Sequence, residues 1–336
     1  MGRKKLKWIS CVLLLLAVLV GVAALSLGIG EISIPFFDIP RLFSEKESTE
    51  YAVLAYIRLP RTLLGFAVGG SLSLAGAMLQ GIYRNPLVEP YTLGISGGAS
   101  LGVTFAIVGG LHLLHAFFLP LAGFIGAFAS IFLVYTLSLR RDTLNVNRML
   151  LIGVMVSFIS SSLMMFLMSI TSSDSLHYIV LWTMGSLTES DNAMVLATTA
   201  LSLVCLAASY FFVMPLNALR LGEEKARYLG FNANVVIRIL FVITSLLTGA
   251  CIAVVGVIGF VGLVIPHIVR LWVGSDYRIL LLTSFLSGSS FLILCDLLAR
   301  TIIAPNELPI GVITGIIGGV MFVVLLSRSG RKTSKN

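Results

Sequence analysis

The stretch ILFVITSLLTGACIAVVGVIGFVGLVIPHIVRLW, residues 239–272, decides the fold of this chain. It carries no charge before Arg270, and it is too long for one upright crossing, since about 20 apolar residues span the hydrocarbon core of a bilayer. Read as one steeply tilted helix, it puts Arg270 and Arg278 on the outer side and inverts everything after them. Read as two short helices turning near Gly256 and Gly259, it keeps both arginines inside, where Lys and Arg of short membrane loops concentrate. Charge therefore selects the two-helix reading.

Working outward, the other stretches free of Asp, Glu, Lys and Arg are Trp8 to Gly30, Thr62 to Tyr83, Pro90 to Leu139, Met149 to Ser173, Asn192 to Leu219, Ile279 to Cys295 and Leu308 to Ser327. Pro90 to Leu139 also exceeds one crossing and breaks at Gly109-Gly110, close to His112 and His115, into a helical hairpin. The expected spans are 8–29, 62–82, 92–109, 117–138, 149–169, 193–214, 236–255, 257–273, 279–298 and 309–327, in a single transmembrane domain covering 1–336 with both termini cytoplasmic. Only Arg41, Lys46, Arg58, Arg61 and Arg300 of the 23 basic residues then lie outside; the others, among them Arg141 and Lys335, lie inside. The net charge of +8 is thus mainly a topology signal, and it needs no nucleic-acid partner. With 57% hydrophobic and 11% charged residues in 336, a soluble protein is nearly excluded. The N-terminal MGRKKLKW precedes an apolar core too long for a signal peptide, so residues 8–29 are expected to stay as the first helix.

The apolar runs are informative for what they lack. No GxxxxGK[ST] phosphate loop is present, so energy has to come from another chain. Gly94-Ile95-Ser96-Gly97-Gly98 fits G-x-S-x-G only formally, because it opens a membrane helix rather than following a strand. Gly65 and Gly69, Gly94 and Gly98, and Gly315 and Gly319 have the spacing that lets helix backbones approach. Cys11, Cys205, Cys251 and Cys295 stand singly as small hydrophobes, and no metal-ligand cluster, catalytic residue or cofactor motif is found. Mid-membrane ionisable groups, which mark ion-coupled transporters, are nearly absent. Asp296 and Arg300 are spaced to pair at the outer end of the ninth span, and His267 reads as a satisfied polar group at a helix end. These features describe a membrane subunit worked by a partner. An ion-coupled secondary transporter and, further off, an intramembrane enzyme remain the alternatives.

Three stretches add a resemblance. RLPRTLLGFAVGGSLSLAGAMLQGIYRNPLVEPYTLGISGGASLG, LRLGEEKARYLGFN with GVIGFVGLVIPHIVRLWVGSDYR, and DLLAR with ELPIGVITGIIGG occur in this order and span most of the chain. Together they resemble the permease subunits of type II ATP-binding-cassette (ABC) importers, the FecCD-type family that takes up iron–siderophore complexes, haem and cobalamin. The resemblance implies an all-α, polytopic membrane fold of about ten helices in a bacterial inner membrane. It implies four partners besides membrane lipid: a second permease subunit, identical or related, two cytoplasmic ABC ATPase subunits, and an extracytoplasmic substrate-binding protein. The chain itself would be no enzyme, and would move an iron(III)–siderophore complex inward, with haem or cobalamin as the alternative cargo.

Residues follow from the same match. The longest cytoplasmic loop, 215–235, holds a short helix from Glu223 to Leu229, and its Leu221, Gly222, Ala226, Leu229 and Gly230 match the family's ATPase-coupling segment. Ala226 is small enough for a close approach, and Gly230 suits a helix stop. Arg58, Arg61 and Arg300, on the outer face against the charge trend, match positions that dock the binding protein, for which guanidinium–carboxylate pairing is suited. Asn85 and Leu87, with Asn145, Val146 and Asn147, match two loops that close the cytoplasmic gate. The second loop departs from the family's small hydroxyl pattern.

Overall fold

A computed structural model describes residues 2–30, 32, 34–35, 38, 41, 44, 47–140, 143–188 and 191–333. Lys46, Arg141 and Lys335, used above to orient the chain, lie outside the described residues. The chain is an all-α polytopic membrane protein. Its helices are α1 (Gly2–Gly28), α2 (Leu59–Tyr83), α3 (Ile95–Val108), α4 (Phe118–Ser138), α5 (Val146–Ile170), α6 (Ser173–Thr183), α7 (Asn192–Ser209), α8 (Val213–Leu219), α9 (Glu223–Tyr228), α10 (Ala233–Val255), α11 (Val261–Val273), α12 (Tyr277–Thr301) and α13 (Ile310–Thr333). Among the described residues, seven helical segments are long and apolar enough to cross a membrane, and Ile95–Val108, Val261–Val273 and Ile310–Leu325 are shorter apolar helices. A two-residue antiparallel ladder, Leu139 opposite Leu144 and Arg140 opposite Thr143, joins α4 to α5.

The helix α2 is the axis of the fold. It is preceded by a helical turn, Thr49–Ala52, and a π-helical turn, Val53–Arg58, and Pro60 sits in its first turn, where a missing amide donor costs nothing. It is buried along almost its whole length and packs against α7, α10, α11 and α12. Glycine makes these contacts possible. A Cβ on Gly69 would overlap the Gly288 carbonyl of α12, and one on Gly76 would overlap the Gly262 carbonyl of α11. The α3–α4 pair uses the same device, since a Cβ on Gly98 would strike the Ser130 hydroxyl. In lipid, where hydrocarbon tails compete equally for apolar side chains, such backbone proximity is what holds helices together. Gly315 corrects the third of the expected glycine pairs: outside its own helix, nothing among the described residues lies within 4 Å of its Cβ position. By contrast α1, α4 and α5 turn Leu, Ile and Phe outward, as lipid-facing helices do.

The deciding stretch is two helices. α10 ends at Val255, Gly256 turns at φ 73°, and Phe260 opens α11 at φ 69°. No side chain fits at Gly256, where a Cβ would overlap the Trp182 carbonyl. A left-handed Phe is uncommon, and its ring is held against α13, lying over Gly318. One helix was not anticipated: α6, whose N-terminal cap is Ser172, the hydroxyl accepting the Ser175 amide at 3.3 Å.

Candidate functional site

The segment 215–235 folds as α8, a turn, α9 and the start of α10. Gly222 (φ 114°) and Gly230 (φ 87°) bracket α9 in conformations that strain any other residue. Glu223 and Glu224 in its first turn and Lys225 and Arg227 in its last match the helix dipole. At its C-terminal end, Gly230 N donates to Arg227 O at 2.9 Å and Phe231 N to Ala226 O at 3.0 Å. Ala226 requires a correction. It is fully buried against its own chain, because the small side chain is what lets α9 lie down on the bundle, so it offers no surface for close approach by another protein. The exposed groups around it are Leu221, Leu229 and Tyr228, the last 84% exposed. Tyr228 was missed, although its place in the LGEEKARYLG motif was the available signal.

At the opposite end, the structure brings Arg58, Arg61 and Arg300 together, lining one cleft of about 190 Å³. All three are buried and engaged with groups of their own chain. Arg61 Nε donates to Asp296 Oδ1 at 2.7 Å, and its Nη1 to Glu307 at 2.8 and 2.9 Å. Arg58 Nη1 donates to the Leu27 and Gly28 carbonyls at 2.7 and 3.1 Å, and its Nη2 to the Ile32 carbonyl. Arg300 Nη2 donates to both the carbonyl and the hydroxyl of Ser26. The expected Asp296–Arg300 pair is the looser contact, at 3.7 Å. Arg58 and Arg300 satisfy carbonyls at the end of α1, which have no helical partners. Ser26, Thr62 and Glu307 belong to this network and were missed. Ser26 Oγ meets Thr62 Oγ1 at 2.9 Å, a pairing across 36 positions that no local motif announces.

The gate residues lie in two turns. Asn85 Oδ1 accepts the Leu87 amide at 2.9 Å, and Asn145 Oδ1 accepts the Arg148 amide at 2.9 Å as the N-terminal cap of α5. Val146 is the first residue of that helix, and Leu87 and Asn147 are exposed. No hydrogen bond joins the two turns among the described residues. Glu89, an unforeseen half-buried carboxylate in the loop that continues from the first turn, accepts the Phe260 amide, while the Tyr91 hydroxyl accepts the Ile258 amide at 3.1 Å. The loop after α2 is thereby pinned to the break between α10 and α11. Burial pushes the Glu89 carboxyl up to about 6. Glu89 was legible as the sole acid between Glu50 and Asp142.

His267 corrects another expectation: it is half-buried on α11 and its Nδ1 has no partner. Cys205, Cys251 and Cys295 are buried thiols and Cys11 is half-buried. Among the described residues, no group of three or more His, Cys, Asp or Glu is placed to hold a metal ion.

Comparison with known proteins accounts for this arrangement. Residues 14–328 match the model of the FecCD transport family. The hemin transport system permease protein HmuU of Yersinia pestis is 39% identical over 281 residues, covering 83% of this chain and 84% of that protein. The vitamin B12 import system permease protein BtuC of Escherichia coli O127:H6 is 37% identical over 335 residues, covering 98% and 97%. Among solved structures, an inward-facing ABC transporter assigned to the metal-chelate type superposes with a TM-score of 0.83 at 31% identity, over 95% of this chain and 99% of that one. PsaBC from Streptococcus pneumoniae, at 15% identity and a TM-score of 0.54 over 85% of this chain and 94% of that one, shares the fold. The chain belongs to the FecCD transport family, as the membrane-spanning permease subunit of an ABC importer that leaves ATP hydrolysis to a separate subunit.

Proposed function

We propose that this permease carries an iron(III)–siderophore complex into the cytoplasm, and that α9 transmits the work of the ATPase. The observation that carries the coupling role is the construction of α9 itself. It is a short helix clamped between two left-handed glycines, rooted by the buried Ala226, and it presents Leu221, Tyr228 and Leu229 outward. A helix rooted in this way moves as a rigid body, so a push on its exposed face reaches α8 and α10 without being absorbed locally. At the other end, the cleft lined by Arg58, Arg61 and Arg300 receives acidic side chains of the extracytoplasmic binding protein, exchanging its internal partners for theirs. The turns at Asn85–Leu87 and Asn145–Asn147 close the inner end of the path formed with a second permease subunit.

A large chelate is recognised mainly by the binding protein, and the described residues offer no ligand set for bare iron. Haem or cobalamin is the second reading, favoured by the names of HmuU and BtuC. The test is reconstitution of the permease with its ATPase and binding protein in liposomes, followed by uptake of labelled ferric siderophore, hemin and cobalamin. ATP-dependent uptake of the siderophore alone supports the first reading. Uptake of hemin or cobalamin in its place moves the cargo to the second, and uptake without the ATPase rejects the permease mechanism altogether.

A further inference from the structure

Beside the coupling segment lies a cleft of about 310 Å³ whose lining includes Gln80 and Arg84 of the α2 end, His267 and Arg270 of α11, Arg220 ahead of α9, and Tyr277 of α12. Three guanidiniums and an imidazole line it, with no carboxylate in the lining among the described residues. Among the described residues, none of the three arginines has a carboxylate within ion-pair distance. The acid beside it in sequence, Asp276, is engaged as the N-terminal cap of α12 and by Asn217 Nδ2 at 3.1 Å. Arg220 is steadied by Ser275, whose carbonyl accepts from its Nη1 at 2.5 Å. Arg84 is held in a left-handed conformation at the end of α2. Two buried acceptors of the lining have no partner: Gln80 Oε1, on a side chain whose Nε2 is committed to the Gly262 and Leu263 carbonyls, and His267 Nδ1.

We propose that this cleft binds a phosphate group, and that its occupant is the phosphodiester headgroup of an anionic glycerophospholipid. Guanidiniums without internal carboxylates match phosphate oxygens in number and geometry. The two unpartnered acceptors suit the hydroxyls of a glycerol headgroup, which an inorganic anion does not supply in the same way. The cleft also has an exposed apolar rim. Leu271 lines it and is 64% exposed, and the exposed Trp272 follows at the same helix end, an aromatic of the kind that sits at headgroup level. Basic pockets at such a boundary hold lipid headgroups. A phosphate bound here would link α2, α11 and the residue that leads into α9, so the lipid would brace the coupling segment against the core. The site stands independently of the cargo and of the coupling role proposed above.

The experiment uses the full chain purified in mild detergent. Retained lipid is measured by native mass spectrometry, and thermal stabilisation is measured on adding phosphatidylglycerol, phosphatidylcholine or inorganic phosphate. Phosphatidylglycerol is expected to be retained and to stabilise, with phosphatidylcholine and inorganic phosphate ineffective. The double variant Arg84→Gln/Arg270→Gln is expected to weaken phosphatidylglycerol binding roughly thirtyfold, as loss of two basic contacts implies. Arg148→Gln, which removes an exposed arginine elsewhere, is expected to bind as wild type does. Should the double variant elute as an aggregate, Arg84→Lys/Arg270→Lys keeps the charge while removing the forked donors, and is expected to bind at an intermediate level. Equal retention by wild type and the glutamine double variant overturns the site, as does an equal loss in Arg148→Gln. Stabilisation by inorganic phosphate to the same extent overturns the lipid as occupant. Weakened ATPase association with unchanged lipid binding assigns the cleft instead to an acidic side chain of that partner.

Discussion

Asp296 shows how much one side chain settles. Its carboxylate is 2% exposed and lies between Arg61 and Arg300; Arg300 depends on it for neutralisation, and Arg61 divides its charge between it and Glu307. Asp296→Asn is expected to destabilise the protein by about 3 kcal/mol or more, because it leaves buried positive charge uncompensated. Glu307→Gln removes a partner of Arg61 that is 44% exposed, and is expected to cost under about 1 kcal/mol. Thermal unfolding of the two variants in detergent separates these outcomes. Glu89 gives a pH dependence. It lies in the loop between α2 and α3, and its carboxyl is pushed up from 4.5 to about 6 by burial. The folded chain therefore holds this proton more tightly than the unfolded chain. The contribution to stability is most favourable below pH 4.5, falls as pH rises through 6, and is level above, a loss of at most about 2 kcal/mol. Glu89→Gln is expected to flatten that slope in melting curves taken between pH 4.5 and 7.

At the scale of elements, contact between backbones governs α2. Gly76→Ala places a methyl on the Gly262 carbonyl of α11 and has to push two helices apart. The expected cost is about 3 kcal/mol or more, at or above the usual range for overpacking. Gly315→Ala, at a position open within the chain, is expected to leave the isolated subunit as stable as before or slightly more so, because Ala favours helix. A reduced yield of folded protein for the first alone checks the distinction. The coupling helix calls for a similar contrast. Tyr228→Asp/Leu229→Asp changes only exposed side chains, and is expected to abolish ATPase co-purification while membrane insertion and melting temperature stay unchanged. Ala226→Glu forces a charge into the seat of α9 and is expected to lower the melting temperature, so loss of transport in that variant says little about the partner surface.

For the whole molecule, the decisive question is which end faces the cytoplasm. Tyr228→Cys in a Cys11→Ser background leaves the other native thiols buried, and a membrane-impermeant maleimide is expected to label it in inverted vesicles and not in right-side-out ones. The apolar runs and the breaks between them were open to reading because lipid imposes length and hydropathy on each crossing helix locally. The split of residues 239–272 belongs here, since Arg270 and Arg278 bias it by charge alone. So does α9, whose glycines and charged turns are local instructions. Residues far apart in the chain were a different matter. Arg58, Arg61 and Arg300 were put on one side by charge and singled out by a family resemblance, but nothing in their spacing says that Ser26, Asp296 and Glu307 absorb their charge. Ala226 reads as a contact for a partner until the fold turns it inward, and Arg84, Arg220 and Arg270 read as separate topology markers until they meet in one cleft. The sequence by itself determined the long apolar helices and their order, α6 excepted, because those depend on interactions between near neighbours and the bilayer. Only the tertiary structure decided which polar groups neutralise one another and which remain without partners, because that depends on how the helices are packed.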